Sequence, residues 1–343
     1  MCALRDRTAR PPECLGCVTA FRTRGSIPCT AMRLSLHEKR RDHFRHAFCL
    51  FNCLTNTPLN GQTLFQPFLM AGEFFGFALV PDHPLWQFQN TKERKMRVFI
   101  SADIEGIATT TLWSETETQT QSVARAHAQQ MTAEVKAACE GAIAAGADYI
   151  LVRDAHDTGT NLDARALPAC AELIRGWSGH PYCMVEGIDS SFDAALFIGY
   201  HSAAGRDGNP LSHTNNPRLL YVKINGKKAS EFQMHSWACA LEGVPSVFLS
   251  GDQMLCEDSA HLHPMLKTLA VKSGFGAATR SISPDLAVQK IRQQAEQALR
   301  QDLRSALCQL PDHFHFEICY KDHALATKMS FFPGFRKIDD NTI

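Results

Sequence analysis

From position 96 onward the sequence alternates short apolar runs with longer amphipathic runs, and this alternation restricts the possible folds more than any other feature. Residues 97–103 begin with an apolar run that predicts a buried strand, and residues 122–145 repeat apolar side chains at helical spacing. A second apolar run follows over residues 149–153. A strand, a helix and a second strand in this order predict a βαβ unit with parallel strands.

The same alternation continues along the chain. Asn225 and Gly226 predict a hairpin turn, and Ser230 is placed to cap the helix that follows. The predicted strands cover residues 182–185, 193–201, 220–224, 247–252 and 314–320, and the predicted helices cover residues 168–175, 231–241 and 284–307. Residues 331–343 are expected to end without a closing element. This order predicts an α/β fold, a layered α/β/α domain with a mostly parallel or mixed sheet.

Three of the predicted strands end in residues that can bind a metal ion. Asp103 and Glu105 follow the first strand, Asp154 and His156 follow the second, and His201 ends the third. In open α/β sheets, binding sites form beyond the carboxyl ends of the strands, so these side chains are expected to converge there. Two adjacent carboxylates repel each other, and one pKa rises unless a cation neutralises both. The pattern therefore predicts a metal site at the strand carboxyl ends.

Further candidates lie later in the chain. Glu231 begins a predicted helix and would add a third carboxylate, while His235 lies one turn later on the same face and is a rival ligand. Carboxylates and imidazoles suit zinc or a similar divalent ion, and a set this large suits two bridged metals. His213, in a loop rich in Gly, Asn and Pro, is free to act as an acid–base group or to hydrogen-bond a substrate.

Each of these residues also has a structural interpretation. Asp103 and Asp154 are suited to capping a turn, and for Asp154 this is the stronger interpretation. A histidine at a strand end can be a hydrogen-bonded structural residue, and Glu231 can complement the dipole at the start of its helix. His213 can be an ordinary loop histidine. The metal hypothesis therefore depends on the expected convergence of the set rather than on any one residue.

Composition and charge argue against several classes of function. The chain has 35 basic and 35 acidic side chains, so no global charge favours nucleic acid or an anionic membrane. No apolar run approaches the roughly 18 residues that span a bilayer, and the first residues do not form a secretory signal. The 13 cysteines are odd in number and irregularly spaced, unlike a disulfide framework. We expect a cytoplasmic protein with no nucleic-acid or membrane partner.

The first 95 residues differ from the rest of the chain. They carry a net charge of +6 and six of the cysteines, whereas residues 96–343 carry a net charge of −6. Cys14 and Cys17 begin a zinc-knuckle spacing, but no regular second pair completes it. We expect residues 1–95 to be a poorly ordered extension, or sequence upstream of a true start at Met96.

The sequence Ser101-Ala-Asp103-Ile-Glu105-Gly106 resembles the Ser-x-Asp-x-Glu-Gly signature of the DppA-like zinc D-aminopeptidases, a family of bacterial metallopeptidases. Later blocks resemble the family in order and spacing; they are Asp154-Ala-His156, Val185-Glu186-Gly187, Phe197-Ile-Gly-Tyr-His201, Leu211-Ser-His213-Thr214, and Asn225-Gly226 followed by Glu231. The resemblance covers residues 96–343, which would form the metallo-aminopeptidase domain.

The resemblance implies a subunit of a homo-oligomeric ring, with a decamer among the sizes considered, that binds two zinc ions. The implied catalytic residue is His213, and the implied zinc ligands are Asp103, Glu105, His156, His201 and Glu231. The implied activity is release of N-terminal D-amino acids such as D-Ala from short peptides by a metal-bound hydroxide. Two alternatives stay open: another two-metal amidohydrolase or phosphoesterase on the same ligands, and an inactive peptide-binding relative in a transport context.

The chain departs from the family pattern at three places. His235 stands where the family usually has Asn, and Gln253 follows Asp252 where a second acid is common. The family also continues beyond the equivalent of residues 339–340 with another strand and a helix, whereas this sequence ends at Ile343. We therefore expect a C-terminally truncated domain, in which a sheet edge and apolar surface would be exposed.

Overall fold

The computed structural model describes residues 95–118 and 122–343. Of the extension predicted over residues 1–95, residues 1–94 therefore lie outside the described residues. The strands in these ranges are β1 (Met96–Ala102), β2 (Ala147–Asp154), β3 (Ala171–Ile174), β4 (Ala194–Tyr200), β5 (Leu219–Ile224), β6 (Lys227–Lys228), β7 (Ser246–Asp252), β8 (Lys267–Phe275), β9 (Ala278–Ser281) and β10 (Phe316–Tyr320). The α-helices are α1 (Ala124–Ala144), α2 (Glu231–Leu241), α3 (Gln253–Leu262), α4 (Pro284–Leu299) and α5 (His323–Ser330).

Seven strands form the central sheet, in the order β3-β2-β1-β4-β7-β8-β9. All neighbours are parallel except β8 and β9, which pair antiparallel. The strand order reverses its direction between β1 and β4, because β2 and β3 lie on one side of β1 and the later strands lie on the other. A crevice forms at such a reversal, beyond the carboxyl ends of the strands. A second, antiparallel sheet has the order β10-β5-β6.

Alternating side chains of β1 supply both faces of the central sheet, as the two-residue period of a strand requires. Val98 and Ile100 lie in a buried cluster with Met131 and Val135 of α1 and with Ile291 of α4. Phe99 lies in a separate buried cluster that also contains side chains of α2, of the second sheet and of α5. The domain therefore has three layers, with α1 and α4 on one face of the sheet. This confirms the predicted layered α/β fold with its mostly parallel sheet.

Two of the predicted elements are wrong in type. Residues 168–175, predicted as a helix, contain β3, which pairs parallel with β2 so that Leu173 lies beside Val152. Pairing within the sheet thus overrides the helical propensity of Ala, Glu and Leu. Residues 182–185, predicted as a strand, form a 3₁₀ turn over Cys183–Val185, where Cys183 has a φ of 47°. Its backbone bonds are local, since Val185 N donates to Tyr182 O.

Other predictions differ in extent. The last long helix, α4, ends at Leu299 rather than near residue 307. Beyond it Asp302 accepts a hydrogen bond from Arg304 N, a local bond that competes with continued helix. The end of the chain, expected to lack a closing element, pairs with β10, because Ile318 and Ile343 exchange main-chain hydrogen bonds.

The sequence reasoning missed β8, β9, α3 and α5. No helix in the described ranges combines the length and apolar character needed to cross a bilayer.

Candidate metal centre

The turn after β1 places Asp103 and Glu105 in the crevice between β1 and β4. Asp103 N donates to Ile198 O over 2.8 Å, and Gly106 N donates to Gly199 O over 2.7 Å, so the turn is bonded to β4 at two points. Glycine is required at position 106, since a Cβ there would lie 1.8 Å from Tyr200 O. The close approach of the two main chains therefore sets the direction of both carboxylates.

His156 follows β2 and is oriented by a turn that Asp154 holds. The Asp154 carboxylate accepts hydrogen bonds from Asn161 N, from Leu162 N and from the Asn161 side chain. Asn161 also donates to His156 O. Asp154 is therefore a structural residue of the turn, which agrees with the stronger of its two sequence interpretations.

His201 and Glu231 complete the buried part of the centre. His201 directly follows β4, and the next residue, Ser202, is held by Asp252, whose carboxylate accepts from Ser202 N over 2.6 Å and from Ser202 Oγ over 2.5 Å. Glu231 is the first residue of α2, whose N-cap is Ser230, with its side chain accepting from Gln233 N. Glu231 Oε1 accepts from Asn215 N over 2.6 Å.

The structure brings all six predicted site residues together. His156 Nδ1 lies 3.3 Å from Asp103 Oδ1 and 3.0 Å from Glu105 Oε2. His201 Nε2 lies 3.4 Å from Asp103 Oδ2 and 3.2 Å from Glu231 Oε2. The two oxygens of Asp103 thus face different histidines.

His213 lies on the open side of this cluster. Its Nε2 is 3.5 Å from Glu231 Oε1, and its ring stacks on that of His201 with centroids 4.3 Å apart. The His213 side chain is 12% exposed, more than any other of the six, while Trp113 contacts its ring edge-on at 5.3 Å. A molecule from solvent would therefore reach the cluster beside His213 and Trp113.

The hydrogen bonds of the three histidines show which ring nitrogen carries the proton and which presents its lone pair to the carboxylates. The outer nitrogen of each ring points at a main-chain oxygen: His156 Nε2 at Thr116 O over 2.9 Å, His201 Nδ1 at Ser202 O over 3.0 Å, and His213 Nδ1 at Leu211 O over 2.9 Å. A carbonyl oxygen only accepts, so these outer nitrogens carry the protons. The inner nitrogens then point their lone pairs at the negatively charged carboxylates, which repel them. At His156 and His201, whose inner nitrogens lie 3.0–3.4 Å from carboxylate oxygens, such an arrangement needs a cation, either a proton or a metal ion.

Burial strengthens this requirement. Asp103 Oδ2, Glu105 Oε2 and His201 Nε2 are buried and have no hydrogen-bond partner among the described residues. Ligand atoms of Asp103, Glu105 and His201 lie within 4.8 Å of one another, as do those of His201, His213 and Glu231. The donor set of carboxylate oxygens and imidazole nitrogens matches the ligands of zinc. The residues present therefore fit a zinc site.

In the metal-free chain, protons take the place of the metal. Burial and the neighbouring Glu105 raise the pKa of Asp103 to about 8, the rise expected for one of two adjacent carboxylates. Burial also acts to raise the pKa of Glu105, but the charge and hydrogen bond of His156 together with the charges of His213 and His201 outweigh burial and hold the Glu105 pKa well below its usual value. Burial opposes a charge on His201, yet Glu231 and Asp103 raise its pKa to about 10.

His235, the rival ligand, lies one turn into α2. Its Nδ1 donates to Glu231 O over 2.6 Å, and burial lowers its pKa to about 4. Among the described residues, neither His235 nor His156 belongs to the two groups whose ligand atoms lie within 4.8 Å of one another, but His156 contacts Asp103 and Glu105 directly. Sequence reasoning did not single out Lys272 of β8, which contacts the main chain of Glu105. The available signal was a lysine directly after the apolar run of residues 269–271.

Three comparisons with known proteins point to the same family. Residues 96–343 match the model of the M55 peptidases, described as D-aminopeptidase. A D-aminopeptidase of Bacillus subtilis (strain 168) is 27% identical over 240 residues, which are 70% of this chain and 86% of that protein. The solved structure of the Zn-dependent D-aminopeptidase DppA from Bacillus subtilis, described as a self-compartmentalizing protease, matches with a TM-score of 0.66 and 25% identity. That match covers 72% of this chain and 90% of the other.

Proposed function

The chain belongs to the M55 family of D-aminopeptidases, and we propose that it uses two zinc ions to release N-terminal D-amino acids such as D-Ala from short peptides. As a member of this family it is a metallopeptidase, a hydrolase of peptide bonds. The proposed zinc ligands are Asp103, Glu105, His156, His201 and Glu231, and the proposed catalytic residue is His213. We also propose that residues 96–343 are the catalytic domain.

One observation carries the proposal. Three histidines give their outer nitrogens to main-chain carbonyls and aim their inner nitrogens at three buried carboxylates, at distances of 3.0 to 3.5 Å. Asp103 supports a count of two metals, because its two oxygens face His156 and His201 separately. One carboxylate can bridge two ions in this way. The residues would hold one ion near His156 and Glu105 and a second near His201 and Glu231.

Zinc bound there would supply Lewis acidity, which polarises the scissile carbonyl and makes the attacking water more acidic. His213 supplies the proton transfer. Burial and the nearby His201 lower the pKa of His213, so its ring is neutral at neutral pH, with Nδ1 protonated towards Leu211 O. Its free Nε2 can take a proton from the attacking water and give it to the departing amine.

The remaining residues bind and orient the substrate. The free N-terminal amine of a peptide would be held in its neutral form at this centre, because the charges of the three carboxylates would already be neutralised by the zinc ions. Trp113 is 40% exposed beside His213 and forms an apolar wall at the opening. Peptides with a free amine would therefore bind with their first peptide bond near His213.

A substrate panel tests the proposal. Zinc-loaded protein is given D-Ala-D-Ala, L-Ala-L-Ala, N-acetyl-D-Ala-D-Ala and a phosphate ester. We expect cleavage of the first, with a much higher kcat/KM than for the other three. Preference for the acetylated dipeptide would favour another amidohydrolase, and turnover of the ester alone would favour a phosphoesterase. Full zinc binding with no turnover would favour a peptide-binding relative in a transport context.

We further propose that the chain forms a homo-oligomeric ring in the cytoplasm. The related DppA is described as self-compartmentalizing. Phe331 is 82% exposed and Phe275 is 62% exposed, and contact with a second copy would remove such side chains from water. No disulfide joins the seven cysteines of the described residues, as in a reducing compartment. Analytical ultracentrifugation would test the assembly: a monomer at micromolar concentration would contradict it.

A further inference from the structure

Lys272 is a buried cation placed behind the metal centre. It lies on β8 and is 3% exposed. Its Nζ donates to Glu105 O over 2.5 Å and also to Thr110 O, which are 167 and 162 residues away in sequence. Within the described part of the chain, Lys272 has no carboxylate oxygen within ion-pair distance. Burying an ammonium group is costly, and here the two main-chain carbonyls offset that cost.

Both carbonyls belong to the segment that carries Glu105. Residues 105–110 follow the Asp103 turn, and the Lys272 ammonium bonds to the first and the last of them. Two further bonds hold this segment: Asn209 Nδ2 also donates to Glu105 O, over 2.9 Å, and Ala108 N donates to Glu134 Oε1 over 2.9 Å. Lys272 therefore bonds directly to a residue whose carboxylate faces His156 3.0 Å away.

The charge of Lys272 also matters at this position. Asp103, Glu105 and Glu231 are three buried carboxylates. Glu134, also buried, lies behind the same segment. A cation bonded to the Glu105 carbonyl reduces the repulsion among these groups without occupying a ligand position.

We propose that Lys272 is a positioning residue of the metal centre, which fixes the main chain of residues 105–110 and so aims the Glu105 carboxylate at the metal. This inference rests on the zinc site of the proposed function. It assigns no contact with substrate to Lys272. Partners behind metal ligands commonly change metal affinity by about 10–100-fold when they are removed.

The test compares Lys272→Met with Lys267→Met. Methionine keeps an apolar stem of similar length and removes the ammonium, while Lys267 lies exposed on the same strand and serves as the matched control. Zinc affinity is measured by competition with a chromophoric chelator, and the absorption spectrum of bound Co²⁺ reports the ligand geometry. We expect Lys272→Met to lose about 10-fold or more in zinc affinity with an altered Co²⁺ spectrum, and Lys267→Met to match the wild type.

A purely structural role gives a different result. It would lower the melting temperature of metal-free Lys272→Met while zinc affinity and the Co²⁺ spectrum stayed as in the wild type, and this result would overturn the inference. Failure of the wild type itself to bind zinc would instead refute the proposed function.

A second variant covers the case in which Lys272→Met does not fold. Lys272→Arg keeps the charge, but its wider, planar head group would have to fit at a position that is only 3% exposed, so we expect it to shift residues 105–110. We expect Lys272→Arg to bind zinc with reduced affinity and a shifted Co²⁺ spectrum. Wild-type affinity and spectrum in folded Lys272→Arg would overturn the inference.

Discussion

His201 shows how burial and charge act together at one residue. Its Nε2 lies between Asp103 and Glu231, and its Nδ1 is bonded to Ser202 O. Burial favours the neutral ring, whereas the two carboxylates favour the charged ring and prevail, so its pKa is about 10. At neutral pH the metal-free ring therefore holds a proton where a zinc ion would bind.

Zinc uptake should depend on pH for this reason. Zinc must displace the proton of His201 and the proton of His156. Burial lowers the pKa of His156, but its carboxylate neighbours, mainly Glu105, raise that pKa well above its usual value. The zinc affinity of the metal-free chain is expected to rise as pH increases from 6.5 to 8.5, by up to about tenfold per pH unit for each proton released. Chelator competition with the chelator calibrated at each pH measures this. An affinity that is flat across this range would show that no proton is displaced.

His213 is expected to act on the reaction and not on metal retention. We predict that His213→Gln keeps its zinc and loses about 10²–10⁴ in kcat, the usual contribution of a general acid–base group. Zinc content and kcat on D-Ala-D-Ala are measured together, with His261→Gln as the exposed control. Loss of zinc from His213→Gln would identify His213 as a ligand, which its distance from Glu231 permits.

Individual site residues were predictable where strand ends mark them. Asp103, Glu105, His156 and His201 each follow an apolar run, so their convergence follows from a parallel sheet. Lys272 also follows an apolar run, but it stands inside β8 rather than at its end, and Asn209 lies in a loop. Their partners are more than 100 residues away in sequence, and only the order of the strands brings them together.

At the scale of elements, the contact between the turn after β1 and the end of β4 leaves the least room for a larger side chain. Gly106→Ala would place a methyl group 1.8 Å from Tyr200 O, so a main chain must move. We predict a loss of about 3 kcal/mol or more in the free energy of unfolding, together with weaker zinc binding, because Glu105 is the adjacent residue.

Gly243→Ala is the matched control for this change. Gly243 has a φ of 76° and no atom near its would-be Cβ, so only backbone strain of about 1–2 kcal/mol is expected. Urea denaturation of both variants measures the difference. Equal losses of unfolding free energy in the two variants would contradict the importance of the close approach between Gly106 and Tyr200. Normal zinc affinity in Gly106→Ala would contradict it too.

The elements that were predicted well are those whose own sequence decides their structure. β1, β2 and β4 are apolar runs, and α2 begins at a capping serine, Ser230, as predicted. β3 was predicted wrongly because its Ala-Glu-Leu-Ile sequence favours a helix, while pairing with β2 decides the outcome. β8 was missed because Lys272 interrupts its apolar pattern.

For the whole molecule, the site follows from the reversal of strand order between β1 and β4. Strands on both sides of the reversal contribute side chains, since His156 follows β2 and His201 follows β4. The fold class could be predicted from the alternation of strands and helices. The order of the strands, and with it the partners behind the ligands, depends on pairings distant in sequence.

The catalytic domain is proposed to begin at Met96, where β1 and the family match both begin. A chain shortened to start at Met96 is therefore expected to keep the melting temperature, zinc content and kcat/KM of the full chain. Thermal unfolding and D-Ala-D-Ala hydrolysis compare the two. A shortened chain that does not fold would show that residues 1–95 contribute to the domain.

The most direct test of the account measures bound zinc and D-Ala-D-Ala hydrolysis together, in the wild type and in His156→Ala. The geometry predicts two zinc ions per chain and release of D-Ala in the wild type, with loss of zinc and of hydrolysis in His156→Ala. Wild-type protein that cleaves D-Ala-D-Ala with well under one zinc per chain would contradict the account. So would His156→Ala with unchanged zinc content and rate.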